Sequence, residues 1–263
     1  MANINSYKPG SFCWLELATT DQNAAKKFYG ELFGWSAFDA PMGPGDVYTM
    51  FQIEGRDAAA GYTLRAEDRA HGVPPHWMLY VAVENADAAA NRVTQLTGKI
   101  VKGAFDVFDV GRMAVVQDPA GVYFCLWQSK KSANGITGVD GTLCWADLNT
   151  PDQAGGKKFY SELFGWKLHE DTDDKPASGY VHIQNGEDFI GGITPPQYYN
   201  PRVPPHWLPY VQVANCDATV AKAQQIGGKL YMPPQTLEDV GRFAILADPQ
   251  GAGFAVFQPN PRK

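Results

Sequence analysis

Cys13-Trp14-Leu15-Glu16-Leu17, followed by Thr19, Asp21-Gln22, Lys26-Lys27-Phe28-Tyr29 and Glu31-Leu32-Phe33-Gly34-Trp35, is written a second time 131 residues further on. There it reads Cys144-Trp145-Ala146-Asp147-Leu148, then Thr150, Asp152-Gln153, Lys157-Lys158-Phe159-Tyr160 and Glu162-Leu163-Phe164-Gly165-Trp166. Pro74-Pro75-His76-Trp77, Asp109-Val110-Gly111-Arg112 and Asp118-Pro119 return as Pro204-Pro205-His206-Trp207, Asp239-Val240-Gly241-Arg242 and Asp248-Pro249, now 130 residues apart. A period this long exceeds that of stacked solenoid repeats, and each copy is large enough to bury its own core. The chain therefore divides into a first domain over residues 8–130, a polar, Gly-containing linker over 131–139 and a second domain over 140–260.

Composition narrows the function. The 263 residues carry a net charge of −6 with acids and bases interspersed, which excludes the basic face that a nucleic-acid partner needs. No apolar run approaches the roughly 20 residues that span a bilayer, so no membrane partner is expected. Met1 to Tyr7 contain neither a basic nor an apolar stretch, and the expected location is cytoplasmic. The four cysteines, Cys13, Cys125, Cys144 and Cys216, contain no close pair of the zinc or redox kind and read as buried free thiols.

Phe12 to Ala18 reads as a strand ending at Thr19-Thr20-Asp21, where Asp21 is placed to cap a helix. Ala24, Ala25, Phe28, Tyr29, Leu32 and Phe33 recur at helical spacing up to Gly34, leaving Lys26, Lys27 and Glu31 on the solvated face. Extended runs follow near 35–38, 47–54 and 58–64. After Pro74-Pro75 the pattern repeats: a strand at 76–83, a helix at 86–97, then strands at 99–108, 112–117 and 122–128. Each domain is thus two βαβββ units. Asp109 to Arg112 predict a tight turn at Gly111 with local pairing of Arg112, and Asp118-Pro119-Ala120-Gly121 and its twin predict hairpin turns.

A strand, a helix running from Asp to Phe-Tyr-x-x-Leu-Phe-Gly-Trp and a closing Asp-Pro-x-Gly-x-x-Phe, present in both halves, resemble the vicinal oxygen chelate superfamily. That group includes glyoxalase I, extradiol dioxygenases and the bleomycin- and fosfomycin-resistance proteins, and the chain is most similar to its two-domain, glyoxalase-like actinobacterial members, which carry hydroxylase and secreted-antigen labels. The resemblance implies an α+β fold of two tandem domains. In each, two modules form a cup-shaped mixed sheet with the helices outside and the ligand within. Metal-dependent members take ligands from the first strand and last strand of the modules. The corresponding positions here are Trp14 and Trp145, Met78 and Leu208, and Cys125 and Ala255, and of these only the thiol of Cys125 resembles a ligand. No cofactor is expected. The alternative is a divalent metal held by a rearranged set, Asp147, His182 and His206, whose composition is that of a two-His-one-carboxylate site.

Alternation along the strands places Trp14 with Glu16, and Trp145 with Asp147, on the face the resemblance assigns to the cup. His76, Met78 and Tyr80 share a face, as do His206, Leu208 and Tyr210, and Tyr123, Cys125 and Trp127 line up on the last strand. The expected ligand contacts are Trp14, Met78, Tyr80, Cys125, Trp127, Trp145, Leu208 and Tyr210. Glu16, His76, Asp147 and His206 are the candidates for polar or catalytic work. Each acid is expected to find a partner, with His76 and His206 the natural ones, because an unpaired buried carboxylate is costly. Three functions remain open: a metal-free binder of a small aromatic or amphipathic molecule, a metal-dependent glyoxalase, lyase, hydroxylase or dioxygenase, and a regulatory module with filled cups. Duplication lets the halves pack as an internal pseudo-dimer, so the chain is expected to be a monomer or a homodimer.

Overall fold

The computed structural model describes residues 2–43, 45–170 and 179–261. In chain order the first half comprises β1 (Ala2–Ile4), β2 (Phe12–Thr19), α1 (Gln22–Phe33), β3 (Ser36–Gly43), β4 (Asp46–Ile53), β5 (Arg56–Thr63), α2 (Ala66–Ala70), β6 (His76–Ala82), α3 (Ala86–Gln95), β7 (Lys99–Val107), β8 (Gly111–Gln117) and β9 (Tyr123–Ser129). Next comes β10 (Gly135–Thr137), and the second half follows with β11 (Leu143–Asn149), α4 (Gln153–Phe164), β12 (Lys167–Glu170), β13 (Val181–Asn185), β14 (Asp188–Ile193), β15 (His206–Gln212), α5 (Cys216–Gln225), β16 (Lys229–Leu237), β17 (Gly241–Ala247) and β18 (Gly253–Pro259).

One sheet runs β3-β4-β5-β2-β6-β9-β8-β7 and the other β12-β13-β14-β11-β15-β18-β17-β16. The order is identical because the sequence is repeated. At the centre of each, the first strands of the two modules lie antiparallel, and each has a parallel neighbour on its far side: β5 beside β2, and β9 beside β6. The segment 131–139 is not wholly irregular as expected. Its residues Gly135–Thr137 form β10, which pairs with β1 and touches β5 at Asp57, so the chain between the domains is stitched onto the first sheet.

The helices begin and end where their caps dictate. The Asp21 carboxylate accepts the Ala24 N–H at 2.9 Å, and Gly34 turns out of α1 at φ 72°. Gln22 then ties the helix start to the sheet, donating to the Val47 and Gly61 carbonyls and the Thr49 hydroxyl. The inner helix faces do not stay within their own domain. Phe28, Tyr29, Trp35 and Trp77 share one apolar core with Phe159, Tyr160, Trp166 and Trp207, because α1 lies against α5 and α3 against α4. The helices are outside the cups, and the two domains meet across them.

The glycine expectation needs correction. Gly111 opens β8 instead of making a turn, and a Cβ there would run into the Trp127 indole; at Gly241 it would meet Phe257. Arg112 does pair locally, with Asp106 at 3.1 Å, and also grips Asp87 in the first turn of α3 with Nε and Nη2 at 2.7 and 2.9 Å; Arg242 repeats the second grip on Asp217. Each arginine fork locks a helix start onto a sheet.

Asp118 and Asp248 do sit in hairpin turns, but they also reach across the molecule. The Tyr29 hydroxyl donates to Asp248 at 3.1 Å while accepting from Trp77 Nε1; Tyr160 does the same between Trp207 and Asp118. Three motifs that the sequence repeats separately thus form one hydrogen-bonded chain, used twice and in opposite directions.

Candidate functional site

On β2, Leu15 and Leu17 enter the shared core, while Trp14 and Glu16 face the hollow of the first sheet. The register sets Trp14 opposite Tyr80 and Glu16 opposite Met78, and β6 sets Tyr80 opposite Cys125 and Ala82 opposite Trp127. Trp14, Met78, Tyr80, Cys125 and Trp127 form a single apolar cluster, joined by Cys13, Tyr7, Met113 and Val115. In the second half Trp145 lies opposite Tyr210, Asp147 opposite Leu208, and Tyr210 opposite Ala255, and these residues cluster with Phe243, Ile245 and Phe257. The residues expected in the cups are brought together in two groups, one per sheet.

Each group is built on a carboxylate held by tyrosines. The Tyr48 hydroxyl donates to Glu16 Oε2 at 2.7 Å, Tyr80 hydrogen-bonds the same carboxyl, and Trp14 Nε1 donates to the Tyr48 oxygen at 3.2 Å. In the second cup Tyr180 donates to Asp147 Oδ1 at 2.5 Å and Tyr210 to Oδ2 at 2.8 Å, while Trp145 Nε1 lies 3.0 Å from Oδ1 and 2.9 Å from the Tyr180 hydroxyl. Tyr48 and Tyr180 were not among the expected site residues. Their signal was available: both stand first in the alternating sets Tyr48, Met50, Gln52 and Tyr180, His182, Gln184, but only the sheet register shows that the first member reaches the acid.

Burial raises both carboxyls above the ordinary carboxylate range, against the lowering effect of the tyrosine hydroxyls. The same desolvation raises the Tyr48, Tyr80 and Tyr210 hydroxyls, which therefore remain protonated donors. Cys125 is also pushed up, first by burial and then by the Glu16 charge. A thiol so disfavoured as thiolate is a poor nucleophile and a poor ligand.

The expected pairing of these acids with His76 and His206 is not found. His76 Nδ1 lies 2.8 Å from the Pro74 carbonyl and His206 Nδ1 2.9 Å from that of Pro204, so each imidazole donates into its own strand entrance. Burial holds His206 below the usual histidine range. Tyrosines reach the acids instead: Tyr80 and Tyr210 from the adjoining strands β6 and β15, and Tyr48 and Tyr180 from β4 and the entrance to β13, two strands away in the same sheet.

Nor do Asp147, His182 and His206 gather. His182 packs edge-on against Tyr180, with ring centroids 4.9 Å apart, while His206 is turned to Pro204. Among the described residues no three His, Cys, Asp or Glu side chains stand together as a metal would require. Indole, thioether, isobutyl, buried thiol and methyl occupy the positions that the resemblance assigns to metal ligands. These side chains do not fit a metal centre of that kind.

The fold and its paired cups define a class. The model of the Glyoxalase/Bleomycin resistance protein/Dioxygenase superfamily matches residues 11–126 and again 142–256, and the chain belongs to that family. Among individual relatives, the "Putative glyoxylase CFP32" of Mycobacterium bovis is 37% identical over the full length of both chains. "Anthracycline biosynthesis protein DnrV" of Streptomyces peucetius is 33% identical over 97% of this chain and 95% of its own. In solved structures the fold resembles that of a Mn(II)-bound glyoxalase from Novosphingobium aromaticivorans, with a TM-score of 0.67, 14% identity, and coverage of 95% of this chain and 82% of that one. It also resembles the 2,3-dioxygenase LapB of Pseudomonas sp. KL28, with a TM-score of 0.63, 14% identity, and coverage of 100% and 95%.

Proposed function

We propose that the chain binds a small, flat aromatic or amphipathic molecule in its cup-shaped sheets. The ligand is held by ring contact and by hydrogen bonds to a tyrosine-tethered carboxylate, without a metal ion. Trp14, Met78, Tyr80, Cys125 and Trp127 offer contact area in the first cup, with Glu16 to give direction, and Trp145, Leu208 and Tyr210, with Asp147, are their counterparts in the second. The observation that carries this reading is the recurrence in both cups of one carboxylate, two tyrosine hydroxyls and one indole. Aromatic walls with a few fixed polar groups are the usual make-up of a small-molecule site. Each aromatic contact adds about 0.5–1.5 kcal/mol beyond the area it buries. Two relatives are named for the biosynthesis of an anthracycline, a fused-ring aromatic.

The test is calorimetric titration with hydroxylated polycyclic aromatics, before and after dialysis against EDTA. The expected result is saturable binding whose affinity the chelator leaves unchanged. Binding that disappears with EDTA and returns with Mn(II), Fe(II) or Zn(II) would overturn the metal-free reading in favour of a metal-dependent enzyme.

A further inference from the structure

The two cups share a plan and differ in how far each is already satisfied. Asp147 receives three donors, from Tyr180, Tyr210 and Trp145, and is only 5% exposed. In the first cup the indole stops at the Tyr48 hydroxyl, leaving Glu16 one donor fewer and half-buried. A carboxylate accepts about four hydrogen bonds, so Glu16 retains the greater capacity toward a newcomer.

Backbone size reinforces the difference. Asp147 lies opposite Gly192, and a Cβ at Gly192 would run into the Tyr180 phenol, so that ring lies flat over the strand and closes the floor. The first cup has Ala60 opposite Glu16, and the longer glutamate reaches past it to Tyr48.

The walls differ in the same sense. Met50, Met78, Met113 and Cys125 stand where the second cup has His182, Leu208, Phe243 and Ala255. Unbranched thioethers adapt to the outline of a guest and contact aromatic faces favourably, whereas Leu and Phe hold one shape.

From these differences, and resting on the cup-binding reading above, we propose that the first cup alone is the ligand site. It takes a planar aromatic bearing a phenolic hydroxyl, whose O–H donates to Glu16 between methionine walls. The second cup is a self-satisfied support.

The experiment is titration of the full chain with anthraflavic acid, a 2,6-dihydroxyanthraquinone whose hydroxyls stand clear of the quinone carbonyls, followed by tryptophan quenching and calorimetry. One equivalent per chain is expected. Glu16→Gln replaces the charged acceptor by a neutral one, and the affinity should fall tenfold or more. Met78→Trp fills the first cup from a half-exposed position and should abolish saturation; it also serves should Glu16→Gln fail to fold. Two equivalents per chain, or affinity unchanged in both variants, would sink the division between the cups while leaving cup binding intact. No saturable binding in the wild-type chain would overturn the cup-binding reading itself.

Discussion

Tyr29 is fully buried, and its hydroxyl is both acceptor and donor, accepting from the Trp77 N–H and donating a hydrogen bond to Asp248 of the other half. Removing that oxygen strands a buried N–H and leaves Asp248 Oδ2 without its tyrosine partner. Tyr29→Phe is therefore expected to destabilise the chain by about 2–3 kcal/mol, read as a lower urea midpoint, although no cup residue is touched. Tyr160→Phe should give a similar loss, and a loss under about 0.5 kcal/mol from either would show that the crossing bond contributes little. Asp147 offers a pH test. Burial raises its carboxyl, so its contribution to stability is complete below the unfolded value of about 4 and is lost as pH rises through the higher folded value. Asp147→Asn removes this titration. The midpoint of the wild type relative to the variant should decline as pH rises above about 4, and a difference independent of pH would contradict the raised value.

At the level of strands and helices, the repeated glycine before arginine is explained by what lies under it. Gly111→Ala pushes a methyl into the Trp127 indole and is expected to cost about 1–3 kcal/mol by overpacking. Gly103→Ala, in open space on β7, should change stability by less than about 0.5 kcal/mol. Equal effects at the two sites, measured by thermal unfolding, would remove the close-approach argument. Much of the element pattern was legible in the chain itself. Asp21 and Gly34 cap α1 as their types require, and the alternation of Trp14, Leu15, Glu16 and Leu17 sorts correctly between cup and core. The three-residue strands β1 and β10 were not legible, because they have no periodicity of their own and exist only through pairing with each other and with β5. The partners of Glu16 and Asp147 were missed for a related reason. His76 and His206, two positions before Met78 and Leu208, look near in sequence, but sheet register and the carbonyls of Pro74 and Pro204 decide which side chain arrives.

Across the whole molecule, the apolar faces of α1 and α4 are covered by the opposite half. Phe28 meets Phe254, Phe124 meets Phe159, and Phe12 meets both Trp166 and Trp207. Two further indoles cross the boundary, Trp35 donating to the Gly141 carbonyl and Trp166 to that of Gly10. With one core between them, the halves should unfold together. Calorimetry is expected to show a single transition whose van't Hoff and calorimetric enthalpies agree, and two resolved transitions would show that the halves are independent. No helix among the described residues is long and apolar enough to cross a membrane.

The reciprocal clasp has a consequence for how such a molecule can change. In an assembly of two identical subunits, any alteration of one bowl is imposed on its mate. Joining the copies in one polypeptide lifts that constraint. Glutamate, alanine and methionine can then be kept on one side while aspartate, glycine and phenylalanine are kept on the other, provided that each tyrosine still finds the aspartate held for it by its twin.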